Sequence, residues 1–269
     1  MNIAVDIGNT RIKCGISSAD GTAEINFLDI PAKGKRFDKG SLYRLFHWKL
    51  LSDAEVLTKG IYPKPLTWWI AQTGTFPWQE LKAEILKVRP HDKFKILTRR
   101  HIPLKVDVDA SAKVGIDRLL AAFAAVKKFG DVPMLIVDAG SAITIDVVQN
   151  QTFCGGAILP GLTSLPELYP KISEKLPLVH FPWTFPLPVY PGKNTEDAIL
   201  NGLYWGTIGA IRQFYEMRFP RKENARLILT GGDGEYLFSG LAQAIPSRRI
   251  NHAVGLVWQG IKRCFDEAK

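Results

Sequence analysis

Two short apolar runs that end in the same way constrain this chain more than any other feature. Ile3-Ala4-Val5 leads into Asp6-Ile7-Gly8-Asn9-Thr10, and Met134-Leu135-Ile136-Val137 leads into Asp138-Ala139-Gly140-Ser141-Ala142. Each is followed by a second apolar segment, through Ile12 to Ile16 in the first case and Ile143 to Val147 in the second. Both therefore read as strand, tight turn, strand. The second copy begins about half a chain after the first, far beyond the ~20–50-residue period of a solenoid, so the pattern predicts two related lobes. A third run, Leu227-Ile228-Leu229, enters Thr230-Gly231-Gly232-Asp233-Gly234, a turn whose glycines let backbone approach a ligand closely.

Helical spacing fills the intervals. Ile116, Leu119, Leu120, Phe123 and Val126 recur at 3.6-residue spacing, as do Val254, Val257, Ile261 and Phe265, the latter with Asn251 as the expected N-cap. Leu81, Ile85 and Val88 mark a helix behind Pro77, and Leu42, Leu45 and Phe46 mark another. Alternating strands and helices predict an α/β chain with two lobes, residues 1–112 and 113–269, and a cleft between them. Eight of the 17 prolines fall in 160–193, so that stretch cannot be a long helix and reads as a loop bordering the cleft.

Composition removes several classes of function. At 46% apolar residues the chain is too hydrophobic for disorder, yet no apolar run is long enough for a membrane span, so a cytoplasmic protein is expected. Cys14, Cys154 and Cys264 are odd in number and far apart, which argues for reduced core thiols over disulfides or zinc. The five histidines show no metal spacing. Lysine and arginine number 35 against 26 acids, but they are scattered; the +9 charge suits a phosphate-bearing ligand, and nucleic acid is not the expected partner. Trp68-Trp69 and the Trp183 region read as core or interface. Neither the Walker pattern nor G-x-G-x-x-G is present.

The duplicated turns carry the chemistry instead. In the first, Gly8 would free backbone N–H groups to face phosphate, Lys13 supplies a mobile cation, and Asp6 could hold Mg²⁺ through water. Asp117 and Arg118 fall in the first turn of the helix that starts near Gly115. A carboxylate there complements the helix dipole by ~0.3–1 kcal/mol with no catalytic task. Its functional reading is a base for a substrate hydroxyl, with Arg118 beside it to hold an anion. Thr195 heads a further helix, capped by Asn194 or by Thr195 itself, with Glu196 and Asp197 in its first turn.

Taken in order, the segments Asp6 to Lys13, Val114 to Arg118, Asp138 to Thr144, Gly155 to Gly161, Asn194-Thr195 with Ala198-Ile199, and Thr230 to Asp233 resemble the signature of type III pantothenate kinases. The resemblance implies the fold of the sugar kinase, actin and heat-shock ATPase superfamily, with nucleotide between two related lobes. It implies transfer of the ATP γ-phosphoryl group to the 4′-hydroxyl of pantothenate, the first step of coenzyme A synthesis, with Mg²⁺, a monovalent cation (K⁺ or NH₄⁺), and a homodimer whose interface helps form the substrate site. Residue by residue, it makes Asp6, Ile7, Gly8, Asn9, Thr10, Arg11, Ile12 and Lys13 the ATP phosphate segment, Ser141 an ATP contact where a threonine is usual, and Asp138 the monovalent cation ligand. Gly115, Ile116, Asp117 and Arg118, with Thr195, become the pantothenate contacts, and Asp117 the catalytic base. Val108 and Ser111 stand where the family usually has a tyrosine and a proline, and Ala71-Gln72-Thr73 replaces a small serine-rich turn. Two alternatives remain: a kinase of the same fold acting on another small hydroxyl compound, and a nucleotide-binding regulatory protein without catalysis.

Overall fold

The first strand–turn–strand pattern folds as β1 (Asn2–Ile7) and β2 (Arg11–Ile16), an antiparallel hairpin in which Ile7 faces Ile12. The computed structural model describes residues 2–16, 26–33, 36–40, 42, 65–181, 187–220 and 224–267. These divide between two compact units. One comprises Met1–Pro103, Ala112–Ala121 and Val257–Lys269; the other comprises Leu104–Ser111 and Ala122–Leu256.

In the first unit, β3 (Asn26–Lys33) and β4 (Arg36–Phe37) extend the hairpin on one side, while β5 (Thr67–Gln72) and β6 (Lys93–Ile96) add parallel strands on the other, giving the order β4-β3-β2-β1-β5-β6. Helix α1 (Trp78–Val88) connects β5 to β6, opening behind Pro77 as its spacing predicts. Alternation along the strands sends Ile3, Val5 and Ile7 of β1 and Ile12 and Cys14 of β2 into one core with Trp68, Ile70, Leu81 and Ile85. The same alternation puts Asp6 and Lys13 on the opposite face of the sheet. Trp68 is fully buried and its indole N–H donates to Asp92 Oδ2 at 2.8 Å, the carboxylate that Arg89 Nε also contacts at 2.7 Å. Removing either partner of such a buried pair costs about 3–5 kcal/mol.

The second unit contains β7 (Lys105–Val106), β8 (Met134–Ala139), β9 (Ala142–Gln149), β10 (Thr152–Pro160), β11 (Arg226–Thr230) and β12 (Ile250–His252), ordered β12-β11-β8-β9-β10-β7. Strand for strand, β10-β9-β8-β11-β12 repeats β3-β2-β1-β5-β6 with the same parallel and antiparallel senses. The duplication read in the sequence is thus a duplication of topology. Helix α2 (Ile116–Phe129) precedes β8, α3 (Thr195–Arg218) and α4 (Gly234–Leu241) flank β11, and α5 (Leu256–Glu267) closes the chain's described part. The second core gathers Leu135, Val137, Ile143 and Ile145 with Leu203, Tyr204, Leu227 and Leu229.

Asn194 is the cap of α3, its side chain accepting the Asp197 N–H at 2.8 Å. Asn251 caps nothing: it lies in β12, where its Oδ1 accepts from Arg226 Nη1 at 3.2 Å, and α5 begins only after Gly255. Cys14 and Cys264 are buried thiols, whereas Cys154 is half-buried. Among the described residues of 160–193, the regular structure after β10 is a 3₁₀ turn at Leu165–Leu168 and one helical turn at Tyr169–Ile172. Leu45, Phe46, His47 and Trp183 lie outside the described residues.

Candidate active site

The turn between β1 and β2 is closed from within, because the Gly8 N–H donates to the Arg11 carbonyl at 3.0 Å. That amide is therefore spent within the turn. Asn9, Thr10 and Arg11 are exposed at the tip, while Ile7 and Ile12 are fully buried. Asp6 and Lys13 are paired across the two strands, both half-buried, so a carboxylate and an ammonium share one face at the end of the hairpin.

The parallel neighbour β5 braces this turn. Thr73 N–H and Gly74 N–H both donate to the Ile7 carbonyl, at 3.0 and 2.8 Å, and a Cβ on Gly74 would overlap the Gly8 carbonyl. Gly74 is a site residue that the sequence reading passed over, and its only signal was a glycine just beyond an apolar run. Gln72 and Thr73 then continue as one wall of a cavity of about 380 Å³, whose lining also includes Gly115 and Ile116. Thus the segment that steadies the Asp6–Lys13 hairpin also meets the residues leading into Asp117.

Asp117 stands in the first turn of α2, half-buried. Its Oδ1 accepts the Arg118 N–H at 2.9 Å and lies so close over Gly115 that a Cβ there would be 2.5 Å away. Burial raises the carboxyl above its usual range, opposed by the Arg118 amide and charge. A carboxylate with a raised pKa is a stronger proton acceptor than a solvated one.

In the second unit the β8–β9 turn is also self-closed, Gly140 N–H donating to Ala142 O at 3.1 Å. Asp138, half-buried, lies across from Thr144. Gly231, with φ +86°, sits directly under Asp138, and a Cβ there would be 2.5 Å from its Oδ1. The carbonyl of Ser141, itself exposed, accepts from Gly161 N at 3.1 Å and from Ser164 Oγ at 3.0 Å, so Ser164 joins the site unannounced by any sequence pattern. Thr195 is exposed as the first residue of α3. Asp6 to Lys13 and Gly115 to Arg118 therefore belong to the first unit, and Asp138, Ser141 and Thr195 to the second.

Residues 2–217 match the family described as type III pantothenate kinase. The chain belongs to that family. The type III pantothenate kinase of Persephonella marina is 30% identical over 90% of this chain and 91% of its own. Among solved structures, a protein of Campylobacter jejuni described as a Baf family transcriptional activator is similar with a TM-score of 0.58 at 22% identity, covering 99% of this chain and 98% of that one. A protein of Sinorhizobium meliloti described as a 2-dehydro-3-deoxygalactonokinase gives 0.54 at 14% identity, covering 99% and 96%. At such identities these neighbours establish the fold alone.

Two features of this type III pantothenate kinase bear on the groups the family implies. Asp138 offers hard oxygen donors above a glycine whose missing Cβ leaves a cradle, an arrangement that fits a monovalent cation. Asp6, half-buried beside the turn, fits Mg²⁺ held through water, since that ion retains waters and takes few carboxylates. Val108 packs over Gly155, where a Cβ would come within 3.3 Å of it.

Proposed function

We propose that Asp117 takes the proton of the 4′-hydroxyl of pantothenate while the Asp6–Lys13 hairpin holds the phosphates of ATP. As a type III pantothenate kinase, the protein transfers the γ-phosphoryl group of ATP to pantothenate, the first step of coenzyme A biosynthesis. The observation that carries the residue assignment is the continuity within the first unit. Thr73 and Gly74 brace the hairpin, and the same segment lines the cavity that Gly115 and Ile116 enter just before Asp117.

Phosphoryl transfer asks a protein for positioning and charge stabilisation more than for covalent chemistry. Lys13 and the exposed turn residues Asn9, Thr10 and Arg11 serve the phosphates, and Ser141 contacts the nucleotide. Gly115, Ile116, Arg118 and Thr195 hold the acceptor. Mg²⁺ entering with ATP would neutralise phosphate charge, held by Asp6 through water. Asp138 holds K⁺ or NH₄⁺. A homodimer is supported by the exposed apolar side chains Ile158, Ile172, Leu178, Val189 and Tyr190, of 49% to 81% exposure, which a partner surface would cover. Among the described residues no helix is long and apolar enough to cross a membrane, which accords with a cytoplasmic enzyme.

The test is ADP release by purified protein with pantothenate and a panel of other small hydroxyl compounds, with and without K⁺ or NH₄⁺. Turnover that depends on pantothenate and rises with the cation is expected; none under any cation overturns the reading. Val108 over Gly155 favours a second reading, in which the acceptor is another small alcohol. Val108→Tyr would then leave pantothenate turnover absent and weaken the true acceptor, instead of improving pantothenate.

A further inference from the structure

We propose that Gly260 is a positioning residue for Asp117: by letting α5 and α2 touch backbone to backbone, it fixes the carboxylate relative to the Asp6–Lys13 hairpin, an inference that rests on the reading of Asp117 as base given above. Alternation places Gly15 on the same face of β2 as Lys13, and the register sets it opposite Ala4, two residues before Asp6. Helix α5 packs onto that face. The buried indole of Trp258 occupies the space that a Cβ on Gly15 would take, and Phe265, two turns further along the helix, lies 5.6 Å from the Trp69 ring of β5, centroid to centroid. Trp69 pairs with Ala4 in the parallel register, so both anchors bear on the face that carries Asp6 and Lys13.

The other side of α5 meets α2. At about 100° per residue, Gly260 lies about 200° around the helix from Trp258, turned away from the sheet. A Cβ on Gly260 would overlap the Leu120 carbonyl oxygen, so the two main chains are in direct contact and any side chain would force the helices apart. Glycine weakens a helix interior relative to alanine, and this contact is the reason for one at 260. Leu120 is fully buried and follows Asp117 by three residues, about 4.5 Å along the helix axis. Gly15, Trp258, Gly260, Leu120 and Asp117 all belong to the first unit. Interiors packed this closely transmit a displacement instead of absorbing it. The thickness of α5 between Trp258 and Gly260 thus sets how far the base at the start of α2 stands from the lysine of β2. Gly260 has no side chain with which to touch a substrate, so whatever it does for the reaction it does through α2.

The experiment is a double-mutant cycle in the full-length chain, with kcat and KM measured by pantothenate-dependent ADP release for wild type, Gly260→Ala, Asp117→Asn and the double variant. Gly260→Ala is expected to lower kcat about 10- to 100-fold, the scale on which a displacement of about an ångström at a reacting group is felt, with KM for ATP within about twofold of wild type. In the Asp117→Asn background the same substitution should lower kcat by less than about twofold, because the group it displaces is no longer there. A loss of equal size in both backgrounds overturns the proposal and assigns Gly260 to folding alone, and so does an unchanged kcat in Gly260→Ala. Should Gly260→Ala not fold, Trp258→Phe takes its place in the cycle. Its smaller ring lets α5 settle toward Gly15, which should lower kcat about three- to tenfold and again add nothing to Asp117→Asn. Additive losses there overturn the proposal equally. A wild type that does not phosphorylate pantothenate, or an Asp117→Asn variant as active as wild type, overturns the reading of the base and this proposal with it, an outcome distinct from additive losses.

Discussion

The β1–β2 turn and the β8–β9 turn are built alike and equipped differently. In both, a glycine amide closes the turn, Gly8 in one and Gly140 in the other, and in both the strand parallel to the first brings a glycine against it, Gly74 or Gly231. Across from the strand's aspartate, however, stands Lys13 in the first and Thr144 in the second. The following helices diverge in the same direction: α2 opens Gly115-Ile116-Asp117-Arg118, and α5 opens Gly255-Leu256-Val257-Trp258. Backbone architecture was duplicated and charge was not. The copy with a lysine suits phosphate, and the copy whose aspartate faces a neutral hydroxyl suits a cation.

The largest effect should come from the helix start that only the first copy equips. Asp117→Asn is expected to lower kcat by ~10²–10⁴, the usual range for loss of a general base. The same change should stabilise the fold at pH 7. Because burial raises the Asp117 carboxyl above 3.8, its contribution to stability is full below that value and is lost as pH rises through the folded-state value. Wild type and variant should therefore melt together in acid and separate at neutral pH, with Asn the higher. The acid limb of kcat/KM should likewise lie above pH 3.8. Equal melting temperatures at pH 7 would mean that Asp117 is solvated, and its role as a base would lose its physical ground.

The bracing glycines give the next contrast. Gly74→Ala would push a methyl into the Gly8 carbonyl, an overpacking that costs ~1–3 kcal/mol. Gly231→Ala meets the Ala139 carbonyl in the same way and adds a positive φ of +86°, worth a further ~1–2 kcal/mol. Denaturant midpoints should rank wild type, Gly74→Ala, Gly231→Ala. Their functional signatures should differ as well. Gly74→Ala is expected to raise KM for ATP, whereas Gly231→Ala fills space beside Asp138 and should weaken activation by K⁺. Identical signatures would erase the proposed division of labour.

These contacts also mark the limit of what the sequence made legible. Hairpins, turns and helix faces are local, so Asp6, Asp138 and the alternating cores could be placed from residue order alone. The glycine contacts require parallel pairing of distant segments, β1 with β5 and β8 with β11, and no local pattern encodes Gly74 on Gly8 or Gly231 on Ala139. The helix from Leu256 is another case. Its spacing was plain, but Trp258 lies against Gly15, where a Cβ would overlap the indole, and so Val257–Lys269 belong with the first unit. Asn251 misled because an asparagine ahead of an apolar run has the chemistry of a cap whether or not the chain is still a strand.

The charge difference between the turns can be tested directly. Lys13→Met should lower kcat/KM for ATP about 10- to 100-fold, the range for a hydrogen bond to a charged group. Thr144→Val, at the matching place in the second copy, should change it less than about fivefold. Comparable losses would show that both turns grip phosphate, and the asymmetry drawn from the strand registers would fail.

The smallest effect concerns the helices that follow the two bracing segments. Helix α1 carries Glu84, whose Oε1 meets Lys39 Nζ and Lys87 Nζ, each at 2.8 Å; α4, its counterpart, has Glu235 as its one acidic residue. The hydrogen bond from Lys39, then that from Lys87, lowers the Glu84 carboxyl from 4.5 to about 2. A lowered carboxyl contributes stability above the unfolded value and loses it as pH falls, so the window is pH 4.5 down to about 2. Both lysines are largely exposed, so screening holds the effect under about 1 kcal/mol. Hydrogen exchange at α1 should accelerate in wild type across that window while α4 stays protected, and Glu84→Gln should abolish the pH dependence at α1. Acceleration of both helices together would show that acid loosens the two copies by one route, and the ion triad would then have no part in setting them apart.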